Sequence, residues 1–518
     1  MSARGWGRAI RAAGLVMVGS LLGGLLATMP PHAASALGPQ IGCPWPAHLD
    51  PNTTNVAFPD QNANYYTLAI PSAGIDSLTI NGRFPHARYM SFTSYTGQTQ
   101  AVDGINDVHI RPKSGNLADN PFIAGNARNT NGAVRDYTVT VLKGQKPAVP
   151  AANTIYTTDA DGSHSNLATF IVIYRTYRPD ASYPNDGGGG EPLPTVIANL
   201  TGGGTLAIGD PSLCSTAPDQ SLGLNPILTD TTLPLPPIAQ VGCYPGLNPP
   251  AWHRFTNIAT AEIQGTDNTC LMDNNPQQTL AQQTDATIPK GGFLENPDNK
   301  YIAAILNVDF FPSEGQPNVL VVRSRVPTTP DTYPNTPVMP GGQLRYWSMC
   351  SNEGITTRFY ACVMDDGLAR LNAAGDYCLA VSRTSDRPRN ANTKHNISWL
   401  PFGVFHDNVL IERNMLPDAG FGPAIQNVAP GNEKALGIYF PTSTYMTVAD
   451  FEATGCPGFT NSTAFGTQPG DLPATVLPNT SGPGPIAALV ALAGLGLVLM
   501  LAGGVARIRA RVVRMSQA

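Results

Sequence analysis

The sequence predicts an all-β protein with two tandem copies of one antiparallel sandwich or jelly-roll domain, a Pro/Gly-rich insert, and one C-terminal transmembrane helix. Three observations lead to this prediction. Short runs rich in Val, Ile, Thr, Tyr and Phe are bounded by Gly, Pro, Asn and Asp, as is typical of strands joined by turns. No window of helical periodicity with caps interrupts these runs. The landmarks of the first part of the chain also return, in the same order, about 240 residues later.

The repeated landmarks are short motifs, and the outer pairs are separated by 238 to 240 positions. We interpret this constant spacing as a tandem duplication. The matched motifs are Pro59-Asp60 followed by Tyr66 and Pro297-Asp298 followed by Tyr301, Arg88-Tyr89 and Arg345-Tyr346, Asp136-Tyr137 and Asp376-Tyr377, and Ile173-x-Arg175 and Ile411-x-Arg413.

The predicted strands follow these motifs in both copies. In the first copy, which we assign to residues 58–180, they are 65–70, 77–80, 89–94, 107–110, 137–142 and 168–174. In the second copy, assigned to residues 291–469, they are 301–308, 319–322, 344–349, 358–363, 377–381, 396–400 and 409–413. A lead-in at 37–57 precedes the first copy, and a disulfide-stapled insert at 181–290 separates the two.

The two ends of the chain predict its location. Residues 1–36 combine three arginines, an apolar run and the small-residue triplet Ala34-Ser35-Ala36, which is the pattern of a cleaved secretory signal. After a stalk at 470–485, residues 486–506 form an uncharged stretch that is long enough to span a bilayer, and a basic tail follows at 507–518. The positive-inside rule places that tail in the cytoplasm and the bulk of the chain outside the cell. The motif Leu477-Pro478-Asn479-Thr480-Ser481 leaves cell-wall attachment by a sortase as an alternative.

Charge and cysteine content narrow the class of protein further. The net charge is −5, and seven of the 31 Lys and Arg residues lie in the terminal segments, so the body is more acidic than this value indicates. An acidic body repels phosphate backbones, so nucleic acid is excluded as a partner.

The eight cysteines all lie in the exported part, where an even number predicts disulfides. They are Cys43, Cys214, Cys243, Cys270, Cys350, Cys362, Cys378 and Cys456. Because Cys-x-x-Cys spacing is absent from the sequence, neither a metal site nor a cofactor is expected.

Three motifs in the second copy carry a resemblance to a known family. They are Arg345-Tyr346-Trp347-Ser348, the stretch from Asn396 to Pro401, and Leu410-Ile411-x-Arg413 before Pro417. They resemble the aromatic-Trp-Ser, Asn-Trp-Leu-Pro and Leu-Arg-x-Tyr-x-Pro signatures of a β-rich domain from secreted bacterial proteins. Asn396 and Trp399 are separated by two residues, where the family signature has none. The resemblance implies a β fold, and it implies no catalytic residue because the family has no established activity.

Candidate ligand-binding residues are aromatic and basic side chains near these motifs. Trp347, Trp399 and Tyr346 could form a platform for sugar rings or apolar chains, with core packing as the alternative for each. His86 and Arg88 lie in the turn of the first copy. The recurring charged residues are interpreted as pairs within each domain, because buried charges need partners. They are Asp60, Arg88, Asp136, Arg175, Asp298, Arg345, Asp376 and Arg413.

These features predict an exported, membrane-anchored cell-envelope protein that binds an envelope glycan or glycolipid. The absence of a Gly-x-Ser-x-Gly elbow from the sequence argues against a nucleophilic enzyme, and we assign no catalytic residue. Two alternatives are a secreted hydrolase or lyase acting on carbohydrate or lipid, with its site between the two copies, and a structural partner of a membrane complex.

Overall fold

The computed structural model describes residues 42–214, 250–255 and 294–471, apart from short gaps inside these ranges. The regular secondary structure of these residues is mainly strands, arranged in four sheets, which confirms the all-β prediction. The predicted signal (1–36), transmembrane helix (486–506), basic tail, most of the stalk, and Cys243 and Cys270 lie outside the described residues. Among the residues that are described, no helix combines the length and the apolar character needed to cross a bilayer.

Ten strands make up the first half of the structure, which we define as the described residues from 42 to 214. They are β1 (Ala47–Leu49), β2 (Ala63–Pro71), β3 (Ile75–Arg83), β4 (Ala87–Tyr95), β5 (Ala101–Asn106), β6 (Asp136–Gln145), β7 (Thr154–Thr158), β8 (Thr169–Pro179), β9 (Thr195–Leu200) and β10 (Thr205–Ala207). They form two five-stranded sheets, in the orders β1-β2-β8-β4-β5 and β10-β9-β3-β6-β7.

Nine strands make up the second half, which comprises the described residues from 252 to 464. They are β11 (His253–Phe255), β12 (Asn299–Asn307), β13 (Val319–Arg325), β14 (Leu344–Glu353), β15 (Phe359–Met364), β16 (Asp376–Ser382), β17 (Ser398–Pro401), β18 (Asp407–Pro417) and β19 (Thr442–Met446). A short helix, α1 (Val448–Thr454), follows the last strand.

The strand order of the second half repeats that of the first. Its five-stranded sheet runs β11-β12-β18-β14-β15, and its four-stranded sheet runs β17-β16-β13-β19. Each strand therefore has a counterpart in the first half, where β10 is the one additional edge strand. All pairings are antiparallel except β6 with β7 and β16 with β17, which are parallel at the same place in both halves.

Each half buries an apolar core between its two sheets. In β8 the side chains of Phe170, Val172 and Tyr174 point into the first core, where they meet Ile80 from the opposite sheet. Side chains alternate along a strand, so the intervening residues of β8 point away from this core. The same alternation in β18 places Leu410 in the core of the second half. The outward faces of these two central strands are the faces that form the site described below.

The chain departs from the predicted elements at several places. Five strands, β1, β5, β7, β11 and β19, have no counterpart among the predicted strands. Residues 107–110, predicted as a strand, begin instead with a 3-10 turn at Asp107–His109, because the buried Asp107 carboxylate accepts the backbone N–H of Met90. Residues 195–207, assigned by sequence to the insert, form β9 and β10 and complete the second sheet of the first half. Further short 3-10 helices lie at Leu117–Asp119, Gly132–Arg135, Pro211–Leu213, Thr384–Asp386, Ile425–Asn427 and Glu433–Tyr439.

Six of the eight cysteines form disulfides in the described residues, as predicted. Cys43–Cys214 joins the lead-in to the end of the first half, and Trp45 beside it donates its indole N–H to Pro194 O at 2.7 Å. Cys350–Cys362 joins β14 to β15, and Cys378–Cys456 joins β16 to the residues after α1. The chain divides at Ala464 into two compact units, and both halves belong to the larger unit.

Candidate ligand-binding site

The outward faces of β8 and β18 carry arginines that are buried between the two halves. Arg175 in β8 is 0% exposed and Arg413 in β18 is 3% exposed. Both are brought to this position by strand alternation, because their neighbours in sequence point into the apolar cores. A buried guanidinium needs hydrogen-bond acceptors or a counter-charge, so the surroundings of these two residues define what the site can do.

The loop before β2 reaches across to the second half and supplies a counter-charge for Arg413. Asp60 in this loop is fully buried, and its carboxylate accepts hydrogen bonds from Tyr346 Oη and Ser348 Oγ, both at 2.6 Å. Arg413 Nη1 lies 3.6 Å from the same carboxylate, and Nη2 donates to Phe58 O at 2.6 Å. Asp60 is therefore the centre of a buried polar network that joins the two halves.

The loop before β12 makes the reciprocal contact with the first half. Tyr89 Oη donates to Asp298 Oδ2 at 2.6 Å and lies 3.1 Å from Asn296 Oδ1. Burial and the neighbouring Asp298 carboxylate raise the pKa of Tyr89 well above its ordinary value, so Tyr89 acts as a hydrogen-bond donor. A second ion pair between the halves joins Arg345 to Asp107 at 2.5 Å.

Apolar and aromatic packing surrounds these polar contacts. Tyr89 and Tyr177 from the first half pack edge-to-face with ring centroids 5.5 Å apart, and Tyr177 meets Tyr346 of the second half at 5.4 Å. Met415 and the Cys350–Cys362 disulfide belong to the same buried cluster. The interface therefore has an apolar centre, as stable associations of two domains require.

A pocket lies at this interface, lined by residues of both halves. Its empty volume, including the part open to solvent, is about 620 Å³. Equivalent residues of the two halves line it in pairs: Tyr65 and Tyr301, Ile173 and Ile411, and Arg175 and Arg413. The remaining lining residues come from Leu49, from Tyr177 and from the two loops before β2 and β12.

The contacts of the two loops show which residues correspond. Asp60 N donates to Tyr65 Oη at 3.2 Å, and Asn296 N donates to Tyr301 Oη at 3.4 Å. Asn62 N donates to Asp60 Oδ1 at 3.0 Å, as Asp298 N does to Asn296 Oδ1 at 3.1 Å. The structural counterpart of Asp60 is therefore Asn296, and the counterpart of Tyr65 is Tyr301. The sequence motifs had matched Asp60 with Asp298 and Tyr66 with Tyr301, and the contacts correct both matches.

Backbone conformation supports this correspondence. Phe58 lies two residues before Asp60, and Leu294 lies two residues before Asn296. Their φ angles are 52° and 56°. A bulky residue rarely adopts positive φ, and such strain is found at ligand sites and other constrained positions. Both residues line the pocket. Their carbonyl oxygens accept hydrogen bonds from Arg413 Nη2 at 2.6 Å and from Arg175 Nη2 at 2.5 Å, respectively.

The two arginines differ in what surrounds the rest of the guanidinium. Arg413 has the Asp60 carboxylate, whereas the equivalent position near Arg175 holds the neutral Asn296. Arg175 Nη2 donates to Tyr95 Oη and to Leu294 O, but its Nε and Nη1 are buried without a hydrogen-bond partner among the described residues. Burial opposes the charge of Arg175, yet the surrounding tyrosines raise its pKa above the ordinary value. The pocket thus contains a buried cation whose bonding capacity is partly unused.

Further polar atoms in the pocket wall have no partner among the described residues. Glu295 Oε1 accepts from Ala101 N at 2.9 Å, while Glu295 Oε2 accepts no hydrogen bond. Burial raises the pKa of Glu295. The amide nitrogen of Asn296 is also without a partner. Buried polar groups in native proteins are nearly always hydrogen-bonded, so a cluster of exceptions in one pocket indicates a place for water or a ligand.

The residues predicted to bind ligand are found at several separate places. Trp347 is 0% exposed and packs in the core of the second half against Tyr377, with ring centroids 5.6 Å apart. Trp399 is partly exposed on the edge strand β17, where Arg387 covers its ring at 4.5 Å and Ser382 Oγ accepts from its indole N–H. Tyr346 lies at the interface and donates to Asp60.

The two predicted basic residues of the first copy are also buried. His86 is 2% exposed and stacks on Tyr183, with ring centroids 3.9 Å apart. Burial, together with Arg135 and Arg128, lowers the pKa of His86 to about 4, so its ring is neutral at ordinary pH. Arg88 is 0% exposed. Of the predicted ligand-binding residues, Tyr346 is the one whose contacts reach the walls of the pocket.

The recurring charged residues follow two patterns. Asp136 and Asp376 pair with arginines of their own half, Arg83 and Arg325, and this agrees with the prediction that the recurring residues pair within each domain. Arg413 with Asp60 and Arg345 with Asp107 instead join different halves, because the outward faces of the central strands lie at the interface. The repeated motifs did mark Arg175 and Arg413, but no sequence signal marked Asn296 or Glu295 as neighbours of these arginines.

One group of residues has the composition of a metal site. Ligand atoms of Asp60, Cys350 and Cys362 lie within 4.8 Å of one another. The two sulfur atoms are joined in a disulfide, whereas metal binding by cysteine requires the thiolate. The Asp60 carboxylate is occupied by Tyr346, Ser348 and Arg413. This group therefore serves as a structural link between the halves.

Fold and pocket together define a β-rich protein with a partly open pocket between two halves of matching strand order. No family model matches the chain, and no curated protein matches it. Among solved structures, the chain is similar to the VPA0106 protein from Vibrio parahaemolyticus, with 10% identity, a TM-score of 0.35, and coverage of 84% of this chain and 99% of that one.

Two further similarities to solved structures are weaker. An anti-sigma factor domain-containing protein matches with 8% identity and a TM-score of 0.14, covering 79% of this chain and 86% of that one. The partial N-terminal region of an enterococcal surface protein matches with 9% identity and a TM-score of 0.17, covering 80% of this chain and 98% of that one. TM-scores this low do not establish a shared fold.

Proposed function

We propose that the chain is an exported, membrane-anchored protein of the cell envelope that binds an envelope component, a glycolipid or glycan, in the pocket between its halves. The observation that carries this proposal is the pocket itself, which has strained backbone, apolar walls and a buried arginine with unused hydrogen-bonding capacity. Binding sites are typically concave, largely apolar and equipped with a few convergent polar groups.

Export and anchoring are supported by the ends of the chain and by its disulfides. Three disulfide pairs lie in the described residues, and such bonds form and persist in oxidising compartments outside the cytoplasm. The N-terminal signal pattern and the uncharged stretch at 486–506 with its basic tail are consistent with one chain that crosses the membrane once. The tandem duplication of one β-domain is likewise supported by the identical strand orders of the halves.

Ligand binding is favoured over hydrolysis by the state of the carboxylates. Asp60 and Asp298 accept short hydrogen bonds from tyrosine hydroxyls, and they hold the two halves together. In the described part of the chain, no histidine lines the pocket. Glu295 is the one described carboxyl group among the residues that line the pocket, and no histidine or second carboxyl group lines the pocket beside it, so the pocket gives less support to the alternative of a hydrolase or lyase.

The experiment is a ligand search with the full chain. The protein is incubated with lipid and glycan fractions of a Gram-positive envelope, and retained compounds are identified by native mass spectrometry. The variant Ile411→Phe fills the pocket, and Ile438→Phe is its control, because Ile438 is 57% exposed away from the pocket lining. We expect wild type and Ile438→Phe to retain one compound that Ile411→Phe loses.

Two results would contradict the proposal. If the wild type retained no compound, the binding function would be wrong, and equal retention by Ile411→Phe would place the site elsewhere.

Trp399→Ala tests the partly exposed tryptophan of β17 directly. Retention should be unchanged in that variant, because the Trp399 ring is already covered by Arg387. Location is tested separately by labelling of a cysteine added to the basic tail, which should be blocked in intact cells.

A further inference from the structure

We propose that the ligand of this pocket carries one carboxylate group and an apolar body, and that the carboxylate binds the unused N–H groups of Arg175. This inference rests on the proposed function, since it names the chemical class of what the pocket binds. It derives from a difference between two halves that are otherwise equivalent. That difference concerns one loop position, Asp60 in the first half and Asn296 in the second.

The equivalence of the halves shows what Arg175 lacks. Arg413 has a carboxylate from the opposite loop 3.6 Å away, supplied by Asp60. In the reciprocal position Asn296 faces the first half, where its side-chain oxygen accepts from Asp298 N and lies 3.1 Å from Tyr89 Oη. No ion pair joins Arg175 to a described carboxylate, although the charge of Arg175 partly offsets the effect of burial on the pKa of the neighbouring Glu295. The Arg175 Nε and Nη1 remain without partners among the described residues. A bound carboxylate would restore to Arg175 the counter-charge that Asp60 gives to Arg413.

Leaving a buried guanidinium partly unpaired is costly. A buried charge without a counter-charge destabilises the folded state, because it has lost its interaction with water and no partner replaces that interaction. Arg175 is 0% exposed and is held in place by Tyr95 Oη and Leu294 O. The protein thus keeps a fixed cation at the pocket, and hydrogen bonds from a charged donor are among the stronger ones available to a ligand.

The surroundings favour a single negative charge. Arg413, the other arginine of the pocket, is already paired with Asp60. Glu295 also lines the pocket, and its second carboxyl oxygen has no partner. A phosphate dianion would carry a second charge with no cation left to balance it. A carboxylate brings one charge, which one guanidinium balances.

The rest of the pocket wall favours an apolar body on the ligand. Ile173, Ile411 and Leu294 line it together with Phe58, and these side chains offer no hydrogen bonds. Tyr65 of the first half and Tyr301 of the second half add aromatic rings to the wall. Burial of apolar surface contributes roughly 25 cal/mol per Å², so each methylene of a ligand in this region adds affinity. A bare sugar would leave hydroxyl groups unpaired against the same walls.

The test compares ligands that differ in one property each. Hexanoate and hexanamide have nearly the same shape, but hexanamide has no charge. Acetate has the charge without the apolar body, and inorganic phosphate tests the class of anion. Binding to the full chain is measured by isothermal titration calorimetry and by the shift in the thermal unfolding midpoint. We expect hexanoate to bind roughly tenfold to hundredfold more tightly than hexanamide, and acetate and phosphate to bind more weakly than hexanoate.

Three variants at the site and one control variant assign the preference to Arg175. Arg175→Met removes the charge and should abolish the preference for hexanoate over hexanamide, whereas Arg111→Met at an exposed position should keep it. Arg175→Lys retains the charge and should keep part of the preference. Asn296→Asp restores the missing carboxylate of the second half and should weaken hexanoate binding roughly tenfold or more.

Each outcome has a distinct meaning. Equal binding of hexanoate and hexanamide, or a preference that persists in Arg175→Met, would overturn the carboxylate inference and leave the pocket as a site for another class of envelope ligand. Tighter binding of phosphate would overturn the class of anion. If Arg175→Met does not fold, the comparison of hexanoate with hexanamide on wild type and on Arg175→Lys still decides. If none of the four probes binds but the wild type retains a neutral compound from envelope fractions, the carboxylate inference fails and the proposed binding function stands.

Discussion

Glu412 is the residue whose ionisation most directly opposes the fold. It points from β18 into the core of the second half, where it is 2% exposed, and burial raises its pKa to about 8. In the unfolded chain the same group titrates near its ordinary value. Between the two pKa values the folded protein holds a proton that the unfolded chain has released. The contribution of protonated Glu412 to folding stability is therefore fully present at acid pH, and it falls as the pH rises through this window.

The variant Glu412→Gln tests this linkage, since glutamine has the same shape and cannot ionise. We expect the free energy of unfolding of the wild type to fall between about pH 5 and about pH 8, and the variant to lose most of that fall. The measurement is chemical denaturation at several pH values, and Asp76→Asn at an exposed position is the control. Parallel pH profiles for wild type and Glu412→Gln would show that Glu412 is ionised in the folded protein.

At the residue scale the sequence predicted the arginines of the site but not their environment. The repeat of Ile-x-Arg marked Arg175 and Arg413 because strands keep their spacing when a domain is duplicated. The loops before β2 and β12 are less constrained, and the Pro-Asp motif is shifted by two residues between them. Counting along the chain therefore matched Asp60 with Asp298, whereas hydrogen bonds match it with Asn296. The unbalanced charge of Arg175 follows from this one position.

The paired strands β3–β6 and β13–β16 each carry an ion pair at the same place. Arg83 Nε lies 3.1 Å from Asp136, and Arg325 Nε lies 2.8 Å from Asp376. The Arg325 and Asp376 side chains are 33% and 34% exposed, so water and salt screen their attraction. A double-mutant cycle with Arg325→Ala and Asp376→Ala should give a small coupling energy that fades in salt. A large coupling energy that persists in salt would show that the pair is an essential part of strand pairing.

The disulfides link elements over very different lengths of chain. The bridged cysteines are 12, 78 and 171 residues apart for Cys350–Cys362, Cys378–Cys456 and Cys43–Cys214. In the chain-entropy account, longer loops lose more freedom in the unfolded state, and the expected stabilisations are roughly 3, 4.5 and 5 kcal/mol. Replacing both cysteines of a pair by alanine should lower the free energy of unfolding in that order. The reverse order in chemical denaturation would show that native-state contacts outweigh chain entropy.

Strands that are rich in β-branched and aromatic residues were predicted from sequence, because such residues fit a pleated, half-buried surface. The strand β9 was missed although it contains Val196 and Ile197. It lies between two glycine runs, 187–190 and 202–204, in the stretch that was assigned to a Pro/Gly-rich insert. Its partner β3 precedes it by more than a hundred residues. Pairing between distant segments has no local signature, so the second sheet of the first half could not be completed from the sequence.

The interface between the halves determines how the whole molecule behaves. Alternation along a strand shows that one face is buried in the core, but it does not show what covers the other face. Here the outward faces of β8 and β18 cover each other, and two buried ion pairs join the halves. The pocket, the buried tyrosine cluster and the charge of Arg175 all result from this association, which is why sequence reasoning located the arginines and not the site.

Because the interface is buried and reciprocal, the two halves should unfold together. Asp60 is the residue that tests this, since its carboxylate accepts from Tyr346 and Ser348 and balances Arg413. In Asp60→Asn those donors face a neutral amide and Arg413 loses its counter-charge, which should cost about 3–5 kcal/mol. The loss falls on the contact between the halves, while the core of each half keeps its own apolar packing.

Differential scanning calorimetry of the full chain should therefore give one transition for the described unit in the wild type, with calorimetric and van't Hoff enthalpies in agreement. In Asp60→Asn the transition should move to lower temperature and separate into two, because each half then unfolds at its own midpoint. Asp76→Asn removes a charge at an exposed position and should retain the single transition. Two transitions already present in the wild type would show that the halves are energetically independent, in which case a ligand bound between them should merge the transitions by stabilising the association of the halves.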